Sequence, residues 1–388
     1  MTGVEMVKAC AVCAGCGTEG FRHHLVAGWL RSVMHAPGDF RTVAGERPEP
    51  GSASSGVREV RLGADGEAVD SRRGSRSGVM AELRVVPGTA NEPLAGKLTA
   101  ALGRKCSPCV VERFPDGELR PVVDDARGAD VYVVEPTGPE VNEHVVELLL
   151  LLDACRRAGA GRVTAVVPYF GYARQDRRGQ EGQAVGARVL ADALATAGAQ
   201  RLVVVDPRTA ALEAMCAIPV EMVTAVPVLA RALPRRPGRG VVVVAPDLGA
   251  VKLAGHYASL LDGSVAVVCK HRVSGSRVRA GDVLGTLDDR PMVIVDDMIS
   301  TGATIEAAVH AFTERVARPD LVVAATHGPL VASAGELLRR LPLQGVLATD
   351  SVTPSVPSLT VCSIAPLLAD VIGRLHNDQP LTDLLLRT

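Results

Sequence analysis

From Ala81 onward the chain alternates between two patterns. Short, nearly unbroken apolar runs rich in Val and Ala are separated by segments whose apolar residues recur every three to four positions. Unbroken runs suit strands buried on both faces, and the 3.6-residue period suits helices that cover them. The runs predict strands over 82–86, 130–134, 162–168, 201–206, 240–245, 264–269, 291–296, 320–326, 345–349 and 358–362. The periodic segments predict helices over 142–158, 186–197, 226–232 and 303–317. The first of these closes on Arg156 and Arg157 followed by Gly159, setting cations at the helix's negative end and supplying a stop. This alternation implies an α/β fold with parallel sheets covered on both faces. Around Pro227 the layout begins again, without a clean sequence repeat. That predicts two similar domains, 80–225 and 226–388, joined near 222–228, with the last helix a candidate to pack on the first domain.

Residues 1–79 lack this order. From Gly38 to Gly78 the chain is rich in Gly, Ser, Arg and Pro with scarcely any apolar period, a composition that predicts disorder. Cys10, Cys13 and Cys16 with His23 and His24 offer thiolate and imidazole ligands for zinc, but a second pair at the usual spacing is missing. Met80 stands immediately before the first regular segment, so the extension is an expected dispensable or untranslated leader.

Composition narrows the choice further. The 388 residues are 47% hydrophobic but only 3% aromatic, which favours helices layered on parallel strands over an aromatic-rich sandwich. A net charge of −1 argues against nucleic acid or an acidic membrane surface as partner. The longest apolar runs, such as 148–152, are too short to cross a bilayer, and the first residues lack a secretory pattern. Nine cysteines in such a chain read as reduced thiols of a cytoplasmic protein.

The chemistry concentrates at predicted strand ends. Val293-Ile294-Val295 runs into Asp296 and Asp297, then Met298-Ile299, then Ser300-Thr301-Gly302-Ala303-Thr304 opens a helix. In an open parallel sheet ligands bind beyond the carboxyl ends of the strands. A Ser/Thr/Gly turn entering a helix presents N–H groups and hydroxyls to an anion. The paired acids suit ribose hydroxyls or hydrated Mg²⁺, so together they describe a ribose 5-phosphate site. The plainer alternative is a strand–turn–helix corner with an Asp cap.

Other segments are suggestive only in company. In Pro168-Tyr169-Phe170-Gly171-Tyr172-Ala173-Arg174-Gln175-Asp176, Arg174 offers a planar fork for phosphate and Gln175 can pair with a purine edge. In Phe114-Pro115-Asp116-Gly117-Glu118, Phe114 could stack on a base whose amino group the acids accept, or the turn is simply a hairpin corner. Asp247 follows a strand and suits Mg²⁺ or a ribose hydroxyl, or caps the next helix. Lys270 and Arg272 end a strand and enter a Gly/Ser/Arg-rich stretch, 273–281, that reads as a mobile cationic loop able to close over a triphosphate.

In combination these segments resemble the ribose-phosphate pyrophosphokinase family, from about Glu82 to the end. The likeness also includes Gly88-Thr89-Ala90-Asn91, Ala325-Thr326-His327-Gly328, Ser363-Ile364-Ala365-Pro366 and Arg374-Leu375-His376-Asn377. The resemblance implies two phosphoribosyltransferase-like domains, assembly into dimer-based hexamers, and transfer of a diphosphoryl group from MgATP to ribose 5-phosphate. It implies adenine contacts for Phe114, Asp116, Gly117 and Glu118 from a neighbouring subunit, with Arg174 and Gln175 completing the ATP site. It implies Mg²⁺ at Asp247, catalysis by Lys270 with Arg272, and ribose 5-phosphate at Arg272, Asp296, Asp297 and 300–304.

Two positions depart from the family pattern. Ser300 stands where an Asp is usual, a mild change because serine still donates to phosphate. Arg208, in Asp206-Pro207-Arg208, stands where the resemblance implies a metal-binding histidine, and a permanently charged guanidinium cannot ligate a metal. An active synthetase is therefore expected. The alternative is a catalytically weak homologue that regulates an active partner. A phosphoribosyltransferase accounts for the paired-acid loop alone.

Overall fold

The computed structural model describes residues 81–233, 240–274, 277–286, 288–313, 320–331 and 333–386. The expectations for residues 1–79, disorder and the Cys10–His24 zinc ligands alike, lie outside the described residues, as does the predicted helical stretch 314–317.

The first half comprises β1 (Leu83–Pro87), α1 (Glu92–Ala101), β2 (Cys109–Arg113), β3 (Leu119–Val123), β4 (Asp130–Val134), α2 (Val141–Arg157), β5 (Arg162–Val167), α3 (Gly186–Ala197), β6 (Arg201–Val205), α4 (Leu212–Met215) and β7 (Val220–Val223). Its sheet is wholly parallel, in the order β1-β4-β5-β6-β7, and β2 and β3 form a separate antiparallel hairpin. The second half comprises α5 (Val226–Ala232), β8 (Val242–Ala245), α6 (Val251–Leu261), β9 (Ser264–Ser274), β10 (Arg277–Leu284), β11 (Met292–Met298), α7 (Ala303–Thr313), β12 (Leu321–His327), α8 (Ala334–Arg340), β13 (Gly345–Thr349), β14 (Thr360–Cys362) and α9 (Ala365–His376). Its sheet runs β10-β9-β8-β11-β12-β13-β14.

The unbroken apolar runs have a direct cause. Every residue of β4 and of β12 is buried, since helices cover both faces. Alternate residues supply opposite cores. Val131 and Val133 of β4 face Leu148, Leu152 and Leu194, while Tyr132 and Val134 face Leu94 and Leu98. In β11, Ile294 joins Ile305, Val309 and Phe312 of α7, and Val293 and Val295 join Tyr257 and Leu229 on the other side.

Helix α9 follows the second sheet yet packs on the first, where Leu368, Val371 and Ile372 meet Val85, Leu98 and Tyr132. A buried charge network fastens it. Arg162 donates to Asp130 from Nε at 2.7 Å and Nη2 at 2.6 Å, and Nη2 also reaches the Leu375 carbonyl at 3.2 Å. His376 Nδ1 lies 2.8 Å from the same carboxylate. Burial works to raise the Asp130 pKa, but the bonds from Arg162 and His376 outweigh it and hold the acid below its ordinary value.

Four strands escape the hydrophobic pattern: β7, the two of the β2–β3 hairpin, and β10. The stretch after Lys270, expected as a loop, is instead a ribbon. Strand β9 continues to Ser274 and pairs antiparallel with β10, Lys270 opposite Ala280 and Arg272 opposite Val278. The second sheet therefore carries one antiparallel edge strand. The polar character of 277–282 is what an edge strand needs to avoid pairing with other chains, and it conceals the strand in the sequence. Among the described residues no helix is long and apolar enough to cross a membrane.

One buried acid in the first half is costly. Glu135, just past β4, is fully buried; its Oε2 accepts from Ala90 N at 3.2 Å and its Oε1 has no partner. Burial, then the nearby Glu147 charge, push its pKa up to about 9. The folded state thus binds this proton more tightly than the unfolded chain, so stability falls as pH rises from about 4.5 towards 9. Glu135→Gln should raise the melting temperature at pH 8.5 and leave it nearly unchanged at pH 4.5. Thermal melts of both proteins across that range check it; a parallel pH dependence in the two would refute the assignment.

Candidate functional site

Five strands, β5, β6, β8, β11 and β12, end at one cleft of about 910 Å³. It is lined from the first half by Arg174, Arg177, Asp206 and Arg208, and from the second by Asp247, Asp296, Asp297, Ser300, Thr301, Gly302, Thr304 and Thr326. Convergence of carboxyl ends is what the parallel arrangement dictates, because every β–α loop leaves a sheet on the same edge.

Each loop is held by a local device. Gly302 has φ +80°, a left-handed turn that lets the chain reverse from Thr301 into α7, where Gly302 O accepts from Glu306 N at 2.9 Å. Gly171 packs so closely that an added Cβ would stand 2.8 Å from the Thr137 carbonyl, and its N–H donates to Thr137 Oγ1 at 2.7 Å. Tyr172 then takes φ +60°, and the turn delivers Arg174, whose Nη2 lies 2.9 Å from the Met298 sulfur. Asp247 caps the turn after β8 by accepting from Gly249 N at 2.9 Å.

Strand β11 runs through both acids to Met298, so Asp296 and Asp297 lie in the strand's last residues and not beyond it. Asp296 Oδ1 accepts from Asp297 N at 2.9 Å. Burial, then repulsion from Asp297 and more distantly Asp247, push the Asp296 pKa up to about 8. Across the cleft Arg208 Nη1 forks onto Asp297, 3.0 Å from Oδ1 and 2.8 Å from Oδ2. The Asp297 charge, opposed by burial, raises the Arg208 pKa further, with Asp296 and Asp247 adding to it.

A strained corner sets this pairing. Asp206 has φ +38°, rare for a residue with a side chain. Its buried carboxylate accepts from Ala225 N at 2.9 Å and from Thr326 Oγ1 of β12 at 2.7 Å. Behind it His327 is fully buried, with Nε2 3.1 Å from the Val205 carbonyl and Nδ1 2.8 Å from Ser351 Oγ. A carbonyl only accepts, so Nε2 carries the hydrogen; burial lowers the ring's pKa and keeps it neutral. Tyr169 meets the ring edge-on at 5.0 Å.

The cleft brings together most, not all, of the residues singled out from sequence. Arg174, Asp247, Asp296, Asp297, Ser300, Thr301, Gly302 and Thr304 line it, while Ala303 and Gln175 do not. Gln175 lies behind Arg174, its carbonyl 3.3 Å from Ala187 N. Phe114, Asp116, Gly117 and Glu118 form the tip of the β2–β3 hairpin away from the cleft; Phe114 is 40% exposed, with Arg120 stacked 5.2 Å from its ring centre. For Lys270 and Arg272 the backbone register in β9 is described. Strand β9 continues from Val268 to Ser274 beyond the end of β8, so the ribbon projects about 20 Å past the edge on which Asp247 lies. Among the cleft residues not singled out from sequence are Lys252 and His256 of α6. Their signal was present: two basic groups spaced i,i+4 directly after Asp247.

Asp247, Asp296 and Asp297 supply hard oxygen donors and mutual repulsion that a divalent cation would relieve, so these residues fit Mg²⁺. Among the described residues, no group of three or more His, Cys, Asp or Glu stands close enough to hold a metal by protein ligands alone. That suits a cation sharing its shell with water and phosphate oxygens.

Two doubly covered α/β sheets with paired acids and a Ser-Thr-Gly turn at a common edge define a protein built from phosphoribosyltransferase-type domains. Comparison with known proteins agrees. Residues 83–198 match the N-terminal domain of ribose phosphate pyrophosphokinase, 223–326 the phosphoribosyl transferase domain and 276–386 the phosphoribosyl synthetase-associated domain. A ribose-phosphate pyrophosphokinase of Rhodopirellula baltica is 38% identical over 313 residues, covering 79% of this chain and 99% of that protein. One from Nostoc sp. is 35% identical over 308 residues, covering 78% and 93%. The crystal structure of phosphoribosylpyrophosphate synthetase from Mycobacterium smegmatis superposes with a TM-score of 0.71 at 33% identity, over 76% of this chain and 99% of that one. The chain belongs to the ribose-phosphate pyrophosphokinase family.

The Asp206–Thr326 bond joins the two sheets where both are buried. Thr326→Val should leave the carboxylate short of a donor and lower unfolding free energy by about 1–3 kcal/mol. Thr326→Ser should recover most of it. Equilibrium denaturation of the three proteins decides; a Val variant as stable as wild type would remove this bond from the account.

Proposed function

We propose that the chain transfers the diphosphoryl group of MgATP to the 1-hydroxyl of ribose 5-phosphate, releasing AMP and 5-phosphoribosyl 1-diphosphate, in the cytoplasm. The observation that carries the reading is the meeting, in one cleft, of the acid pair and Ser-Thr-Gly turn from the second half with Arg174 from the first. In this reading the turn at 300–304 binds the 5-phosphate, and Asp296 and Asp297 accept from the ribose hydroxyls. That fixes the 1-hydroxyl oxygen for attack on the β-phosphorus, while the bond from that phosphorus to the oxygen retained by AMP breaks. Asp247, together with the nucleotide phosphates, would hold Mg²⁺, which would supply positive charge to offset the charge gathering on the transferred group. Arg174 and Gln175 serve the ATP side, and Lys270 and Arg272, on the projecting ribbon, neutralise charge in the transition state with Arg272 also contacting ribose phosphate.

The exposed tip of β2–β3 lies away from the cleft of its own chain. That supports an adenine contact by Phe114, Asp116, Gly117 and Glu118 with a neighbouring copy, hence a homo-oligomer, dimer-based and hexameric. The two halves act as domains meeting near residue 225. The first family domain matched begins at residue 83, which supports a dispensable extension over 1–79.

AMP and phosphoribosyl pyrophosphate formation from ATP, ribose 5-phosphate and Mg²⁺ tests the reading, on the full chain and on one beginning at Met80. Both are expected to turn over. A folded chain that binds ATP but forms no product would instead fit a regulatory homologue. Lys270→Ala should lower kcat roughly a hundred- to a thousandfold while ATP affinity changes far less. An unchanged kcat would remove Lys270 from the catalytic set.

A further inference from the structure

Arg208 pairs with one of the acids that line the cleft. Its Nη1 reaches both oxygens of Asp297, at 3.0 and 2.8 Å, from a backbone fixed by the Asp206 corner and by Pro207. Asp247 and Asp296 line the same cleft. Asp297 is the fixed partner of the pair: only 22% of its side chain is exposed, against 49% for Arg208, and its Oδ1 also accepts from Met298 N at 2.9 Å. Both Asp297 oxygens are thus engaged by N–H donors. A guanidinium does not deprotonate at any physiological pH, so the Arg208 charge is present wherever the protein is folded.

We infer that Arg208 is a resident cation that occupies Asp297 and keeps it from joining Asp247 and Asp296 in holding a hydrated free divalent metal, so that the metal enters as its complex with the nucleotide polyphosphate. The inference rests on the proposed function for its choice of metal and nucleotide. Arg208 is a positioning residue: it holds Asp297 in place and sets the charge of the cleft. Two consequences distinguish this from a merely structural ion pair. Removing the cation should create affinity for metal alone, and retaining the charge as lysine should not.

The test is a titration of Mn²⁺, a spectroscopic stand-in for Mg²⁺, into the full-length protein without nucleotide or sugar, read by the loss of the free-ion paramagnetic signal. A unit charge a few ångströms from the metal, even after screening, predicts that Arg208→Met tightens Mn²⁺ binding by roughly tenfold or more. Arg208→Lys should stay near wild type, and Asp297→Asn placed on Arg208→Met should abolish the gain. The inference is overturned if Arg208→Met binds Mn²⁺ no more tightly than wild type, or if the gain survives loss of Asp297. Tight wild-type binding that Asp297→Asn weakens would also overturn it. Circular dichroism and melting of each variant show that a folded protein is being titrated; should Arg208→Met not fold, Arg208→Gln carries the same comparison. Because the titration contains no substrate, its outcome is independent of whether the wild-type preparation makes phosphoribosyl pyrophosphate, which tests the functional reading separately.

Discussion

The cleft depends on how two separate sheets are locked edge to edge, and the lock is polar. Asp206, at the end of β6, adopts a left-handed backbone that a side-chain-bearing residue takes only under constraint. Ala225 N and the Thr326 hydroxyl hold its carboxylate, and the buried His327 ring bonds the carbonyl one residue earlier. An apolar contact here would permit sliding. Directional bonds from β12 to β6 fix the register between sheets, since shifting either would strand buried acceptors at a cost of about 1–3 kcal/mol each. With that register set, Pro207 and Arg208 emerge opposite Asp297.

The two halves share a layout but treat one β–α loop each in opposite ways. After β1, the chain turns at Gly88-Thr89-Ala90-Asn91 into α1, a geometry suited to anions. Its donors are already taken: Glu147 accepts from Thr89 N at 2.7 Å and from Thr89 Oγ1 at 2.6 Å, and Glu135 accepts from Ala90 N. The first half has thus filled its loop with its own carboxylates. In the second half the acids stand on β11 and the Ser-Thr-Gly turn opens to the cleft. Of these two turns, the one in the second half is the one that opens to the cleft.

Much of this was legible in the sequence, for identifiable reasons. Strands such as β4, β11 and β12 are buried on both faces, so burial writes itself into unbroken apolar runs. Strand β10 and the β2–β3 hairpin are half-exposed or edge elements, where polar residues are tolerated and the pattern vanishes. Site residues clustered at strand ends were readable because parallel topology maps strand ends to one edge. What sequence could not supply was pairing across the sheets. Arg208 stood out as a misfit, but its partner Asp297 lies 89 positions away, and nothing local to either residue encodes the contact. The same holds for Asp206 with Thr326, 120 positions apart.

That long-range pairing changes what the misfit means. A guanidinium facing open water beside a metal site would only repel the metal. Forked onto Asp297, it also offsets the charge of an acid whose repulsion, after burial, pushes the Asp296 pKa upward. The acids on β11 and after β8 belong to the second half, and the cations Arg174 and Arg208 belong to the first. Neither half alone carries a balanced cleft. Charge complementarity across the sheets therefore adds to the Asp206 lock in favouring the docked arrangement, so that the site and the interface between halves are stabilised by the same residues.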